Sequence, residues 1–163
     1  MKISSIIFTA CIIISLLSAC QQKKDSGTSE VPSDASTSRP APLPFLQSVD
    51  VNTLYSIVQS VDILFYKLPI SVSQDDAASA KNSVQYIVPA LPAISSNCEA
   101  VGRMSWISDG KIVREADFFL GKGCNYFEFM ENGQPAYRNA MAPAGVEFFT
   151  TIISQAKDKA AGK

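Results

Sequence analysis

Two dipeptides, Asp109-Gly110 and Asn132-Gly133, constrain the fold of this chain more than any other feature. Asp-Gly and Asn-Gly readily supply the consecutive left-handed residues of a tight hairpin turn, and each sits between runs of alternating character. Four such runs follow one another over residues 100–107, 111–120, 124–131 and 134–141, with Gly121-Lys122-Gly123 turning the middle pair. In the second run Ile112, Arg114, Ala116, Phe118 and Leu120 oppose Val113, Glu115, Asp117 and Phe119. In the third, Phe127 and Phe129 oppose Tyr126, Glu128 and Met130. Side chains on a strand alternate between faces, so the pattern predicts an antiparallel meander with one apolar face. The other face carries charge and scattered aromatics.

Upstream the period is helical. Val51, Leu54, Tyr55, Val58, Val61, Leu64, Phe65 and Leu68 recur at three- and four-residue steps, after Asp50 as N-cap and before Pro69. They predict one helix over this stretch. Ser73-Gln74-Asp75-Asp76 resembles a capping box opening a second helix, with Ala77, Ala80, Val84, Ile87 and Val88 on one face and Pro89 as its stop. The paired carboxylates Asp75 and Asp76 are read as complements of that helix's positive end, not as a catalytic pair. Residues 89–97, holding two prolines and two serines, read as an irregular crossover. Pro143 suits a first helical turn, and Val146, Phe149, Ile152, Ile153 and Ala156 make the buried stripe of a last helix. The expected class is α+β: two N-terminal helices, a four-stranded antiparallel meander and one C-terminal helix, with helices covering one face of the sheet.

The N-terminus has a different logic. Met1-Lys2 is a minimal basic start, and residues 3–17 are apolar apart from Ser, Thr, Ala and Cys. The run is shorter than the ~20 residues a membrane-spanning helix needs and reads as a secretory signal. Leu17-Ser18-Ala19-Cys20 then resembles the lipobox of bacterial lipoproteins. Small side chains beside the cysteine let the backbone reach a peptidase that works at the membrane face on a lipid-bearing thiol. The resemblance implies removal of residues 1–19 and a diacylglyceryl thioether on Cys20, usually with an N-acyl chain. Cys11, preceded by bulky Phe8, is instead an apolar filler of the signal. Two chains suffice for stable anchoring, at ~0.8 kcal/mol per buried CH₂. In enterobacterial lipoproteins an Asp after the cysteine favours inner-membrane retention. By that analogy Gln21 leaves outer-membrane delivery open and makes it the expected destination if the envelope is Gram-negative.

Residues 20–43 carry the anchor and a linker rich in Ser, Thr, Pro, Asp and Lys, poor in large apolar groups and so expected to be disordered. A coil of this length reaches roughly 25–30 Å. Residues 44–163 remain for a single α+β domain. Its two cysteines, Cys98 and Cys124, are expected to pair in an oxidising envelope. A sequential meander puts their strands two spacings apart, ~9.6 Å, beyond the ~7 Å between Cα atoms that a disulfide spans. Either Cys98 lies in the loop before the first meander strand, or the strand order is not sequential. Both place the bridge between the proline-rich crossover and the glycine turn.

Composition narrows the chemistry. The chain has no histidine, which removes Ser-His-Asp and Cys-His triads and the commonest transition-metal ligand. Net charge is −1, without a Lys/Arg cluster, so there is no electrostatic footprint for nucleic acid. Nothing in the sequence requires a cofactor or a metal. Glu115, Asp117 and Glu128 share the polar face and could form an acid/base or calcium cluster. The preferred reading is a solvated face balanced by Arg103, Arg114 and Arg138. Trp106, Tyr126, Met130 and Tyr137 are expected on the face away from the helices, as an interaction surface for an envelope protein, a glycan or a host molecule. The resulting expectation is a lipid-anchored envelope protein that acts by binding. A carboxylate-dependent envelope enzyme and a structural spacer or coat protein are the rivals.

Overall fold

The computed structural model describes residues 42–95 and 97–162. The signal segment, Cys20 and the linker up to residue 41 lie outside them. Helix α1 (Ser48–Ile57) is followed by β1 (Ser60–Phe65), β2 (Ser71–Gln74), α2 (Ala77–Val84) and β3 (Ile87–Val88). The expected meander comes next as β4 (Ala100–Ser108), β5 (Lys111–Phe119), β6 (Tyr126–Glu131) and β7 (Gln134–Met141), and α3 (Pro143–Ala160) closes the chain. The fold is α+β, but the sheet has seven strands, in the order β2-β1-β4-β5-β6-β7-β3, and every pairing is antiparallel. Asp109 and Gly110 take φ of 49° and 70°, and Asn132 and Gly133 take 52° and 75°, the left-handed pairs that two-residue hairpins require.

The four-strand expectation undercounts in the first place because the first predicted helix breaks in two, its second half forming β1 of a hairpin with β2. Helix α1 stops at Ile57, and β1 then pairs with β4 from Ser60↔Ile107 to Phe65↔Gly102. Val61, Ile63 and Phe65 are buried, while Asp62 and Leu64 between them are exposed. Ile63 belongs to no helical stripe, and its two-residue spacing from Val61 and Phe65 is the strand signal that the longer three/four-step reading obscured. The helix start also shifts. Gln47 is the N-cap, and Asp50, in the first turn, accepts the Gln47 N–H through Oδ2 at 3.2 Å.

A similar division replaces the second predicted helix. Ser73 and Gln74 belong to β2, and Asp76 alone caps α2, its Oδ1 accepting the Ser79 N–H at 2.8 Å. That backbone hydrogen bond holds the Asp76 carboxyl below the usual carboxylate range. Ile87 and Val88 leave the helix to pair with Met141 and Ala140 of β7. The added strands thus cover both edges of the meander. An uncovered edge presents a row of unpaired N–H and C=O groups, so a chain with strand-forming segments to hand gains by pairing them.

The apolar face of the sheet supports the helices. Phe149 of α3 stacks on Phe118 of β5, ring centroids 4.3 Å apart, and Phe65 meets Phe118 edge-on at 5.5 Å. Trp106 packs on Phe129 at 5.8 Å and donates its indole N–H to Ser83 Oγ of α2 at 2.8 Å. The Ser83 hydroxyl in turn donates to the Ala80 carbonyl at 2.6 Å. Fully burying side chains of this size contributes about 1.5–3 kcal/mol each, so this face is where most of the fold's stability originates.

One polar side chain in the core fixes where the chain joins the domain. Asn139 of β7 is fully buried; its Oδ1 accepts the Leu46 N–H at 2.9 Å, and its Nδ2 donates to the carbonyls of Leu46 at 3.1 Å and Val88 at 3.0 Å. It supplies, with one amide, the strand partner that Leu46 lacks, and adds a second donor to the Val88 carbonyl, which also accepts the Ala90 N–H at 2.7 Å. Asn139→Leu should therefore lower stability by about 3 kcal/mol, since buried backbone groups left unpaired cost ~1–3 kcal/mol each. Urea unfolding measures the loss, with faster exchange of the Leu46 amide as its local signature. A change below about 1 kcal/mol would mean the strand edge holds residues 44–46 without the asparagine.

Candidate functional site

The face of the sheet away from the helices is polar and internally satisfied. Arg103, Asp117, Glu128 and Arg138 lie in register across β4 to β7. Arg103 Nε donates to Asp117 Oδ1 at 2.7 Å and Arg138 Nε to Glu128 Oε2 at 2.6 Å. The Tyr66 hydroxyl also donates to Asp117 Oδ1, at 2.6 Å. Burial, with the bond to Asp117 adding to it, pushes the Tyr66 phenol up, while Asp117 holds the Arg103 guanidinium above its ordinary range. One row away, Glu115 accepts from Ser105 Oγ at 3.0 Å, and Asp62 accepts from Ser73 Oγ at 2.6 Å.

Asp117 and Glu128 are thus direct cross-strand neighbours, with Glu115 offset. Each has a donor, and the two adjacent carboxylates of the row are flanked by a guanidinium on either side, Arg103 beyond Asp117 and Arg138 beyond Glu128. Arg103 and Arg138 balance the face as expected, whereas Arg114 turns to Glu131 at 3.3 Å. Among the described residues, no group of three or more His, Cys, Asp or Glu side chains is placed to hold a metal ion.

The expected aromatic surface does not form. Trp106 has no exposed area and faces the helices. Tyr126 is 3 % exposed and stacked on Phe119 at 4.2 Å beside the disulfide, and this burial pushes its phenol up. Tyr137 lies opposite Phe129 and packs, half-buried, against the core, and Met130 is half-buried beside a register shift between β6 and β7. Arg103 and Ser105 explain the inversion. They alternate with Met104 and Trp106 on β4, and since the guanidinium must stay near water, the indole turns inward.

The disulfide adopts the first of the two expected arrangements. The meander is sequential, and Cys98 sits in the loop before β4, its Cα 5.6 Å from that of Cys124 and the sulfurs 2.07 Å apart. Ser95 N–H donates to the Gly123 carbonyl at 2.9 Å, a second tie between the crossover and the glycine turn.

Beside this brace opens a cleft of about 600 Å³, where β1 ends, β4 begins and the C-terminal half of α3 passes over. Phe65, Leu68, Val101, Leu120 and Ile153 line it with apolar surface, and the disulfide forms part of one wall. Lys67, Lys122, Lys157 and Glu99 also line it and are exposed; Lys67 pairs with Glu99. Gly102 lies next to this floor. A Cβ there would collide with the Leu64 carbonyl oxygen and the Phe118 ring, so only glycine lets β4 approach β1 this closely. The lining residues come from four separate parts of the chain and share no spacing, so only packing brings them together.

Compared with known proteins, the chain matches no family model, no curated protein and no solved structure. Its class is therefore defined by its own geometry: a seven-stranded antiparallel sheet with helices on one face and an apolar cleft at a disulfide-braced end. Among the described residues, no helix is long and apolar enough to cross a membrane.

Proposed function

We propose that the protein is a lipid-anchored component of a bacterial envelope, outer membrane in preference to inner, and that its domain acts by binding. The cleft carries this reading. An open hollow with an apolar floor and a few polar groups at its rim is the usual form of a small-molecule site, and its volume lies within the ordinary range for one. Leu17-Ser18-Ala19-Cys20 supports the anchor, and Cys20 would be the lipidated residue. The rival enzyme reading would draw on Glu115, Asp117 and Glu128, but Ser105, Arg103 with Tyr66, and Arg138 already donate to these three carboxylates.

One experiment addresses both halves. The wild-type chain should sediment with membranes and yield a diacylglyceryl-modified Cys20 peptide by mass spectrometry, while Cys20→Ser should move to the soluble fraction. The Cys20→Ser protein should enhance the emission of the neutral dye N-phenyl-1-naphthylamine, and Ile153→Glu in the cleft floor should remove the enhancement. An unmodified Cys20 would refute the anchor. A dye response indifferent to Ile153→Glu would refute the cleft as the binding site.

A further inference from the structure

We infer that the cleft selects a single-chain amphiphile with an anionic head, such as a long-chain carboxylate; this rests on the cleft being a binding site. Three ammonium groups, Lys67, Lys122 and Lys157, line the cleft against one carboxylate, Glu99. Glu99 is engaged by Lys67, and among the described residues no carboxylate lies within ion-pair reach of Lys122 or Lys157. The chain as a whole is slightly acidic, so a cationic mouth runs against its average charge.

The three lysines come from the loop after β1, the β5–β6 turn and the last turn of α3. Lys157 also complements the carbonyl end of its helix, but Lys122, on an exposed turn between two glycines, has no such structural use. Apolar floor and cationic rim together match a ligand whose chain leaves water while its charged head stays at the mouth. A neutral chain satisfies only the floor, and a small inorganic anion only the rim.

Calorimetric titration of the full chain carrying Cys20→Ser tests this, with dodecanoate and the neutral dodecyl maltoside, each below its micelle concentration. Dodecanoate should bind at one equivalent and at least tenfold more tightly than the maltoside. Lys122→Gln with Lys157→Gln should erase most of that tenfold preference and leave maltoside binding unchanged; unaltered Trp106 emission reports an intact fold. Equal binding of both ligands, or a preference that survives the double variant, would overturn head-group selection while leaving the apolar cleft standing. Binding of neither ligand would overturn the cleft reading together with this one. Capture of the protein by anionic vesicles without one-to-one dodecanoate binding would assign the lysines to a lipid surface and also overturn the inference.

Discussion

Trp106→Ala is expected to destabilise the domain by about 4 kcal/mol, in line with the ~3–5 kcal/mol that truncating large aromatic core residues costs. Three contributions combine. The indole is completely removed from water, so its transfer free energy is lost. The space between β4, β6 and α2 cannot fully collapse, because Phe127 and Phe129 are held on the sheet, their centroids 6.2 and 5.8 Å from Trp106. Finally, Ser83 Oγ, itself fully buried, loses the donor that it accepts. Trp106→Phe should cost less, since it retains most of the packing. Chemical denaturation followed by far-ultraviolet circular dichroism measures the loss, and the wild-type emission of this single tryptophan should be blue-shifted. A stability change near zero would return Trp106 to the surface and reopen the aromatic patch as an interaction site.

Removing the disulfide should come next in effect. Cys98→Ser with Cys124→Ser frees a loop of sequence separation 26, and the chain-entropy account puts the loss at about 3.5 kcal/mol. The effect should concentrate at one end of the molecule. Phe119 and Tyr126 form a small cluster of their own with the two cysteines and Ala100, separate from the main core. Without the bridge, Ser95 still ties the crossover to the turn, its N–H donating to the Gly123 carbonyl and its hydroxyl to the Lys122 carbonyl at 3.5 Å. Melting with and without reductant measures the global loss. Hydrogen exchange should show residues 90–99 and 121–126 opening before β4 and β5. An unchanged melting temperature in reductant would mean that packing alone holds the crossover, and the cleft wall would then not depend on the bridge.

The cost of losing Trp106 depends on which face of β4 is turned inward. On β4 the polar residues Arg103 and Ser105 identify the solvent side, so Trp106 could have been placed inside from its neighbours. Aromatic content alone suggested the opposite. On the first segment, Val58, Val61, Leu64, Phe65 and Leu68 fit a helix, yet the pairing of β1 with β4 prevails because it satisfies an otherwise open sheet edge. A strand's partner is remote in sequence, and its influence cannot be read from local periodicity.

The sequence by itself determined the meander, its two tight turns, the final helix and the pairing of Cys98 with Cys124. Each is local, or follows from a count: left-handed turn residues, two-residue alternation, a proline at a helix start, two cysteines in one domain. Tertiary structure alone decided the three added strands and which cation serves each carboxylate: Arg103 at Asp117, Arg138 at Glu128 and Arg114 at Glu131. It also decided the cleft, whose apolar floor and lysines converge only when α3 crosses the sheet end. Such features depend on which distant backbone groups and side chains must share their exclusion from water. Residues without a common spacing can meet that requirement together only once the whole chain is folded.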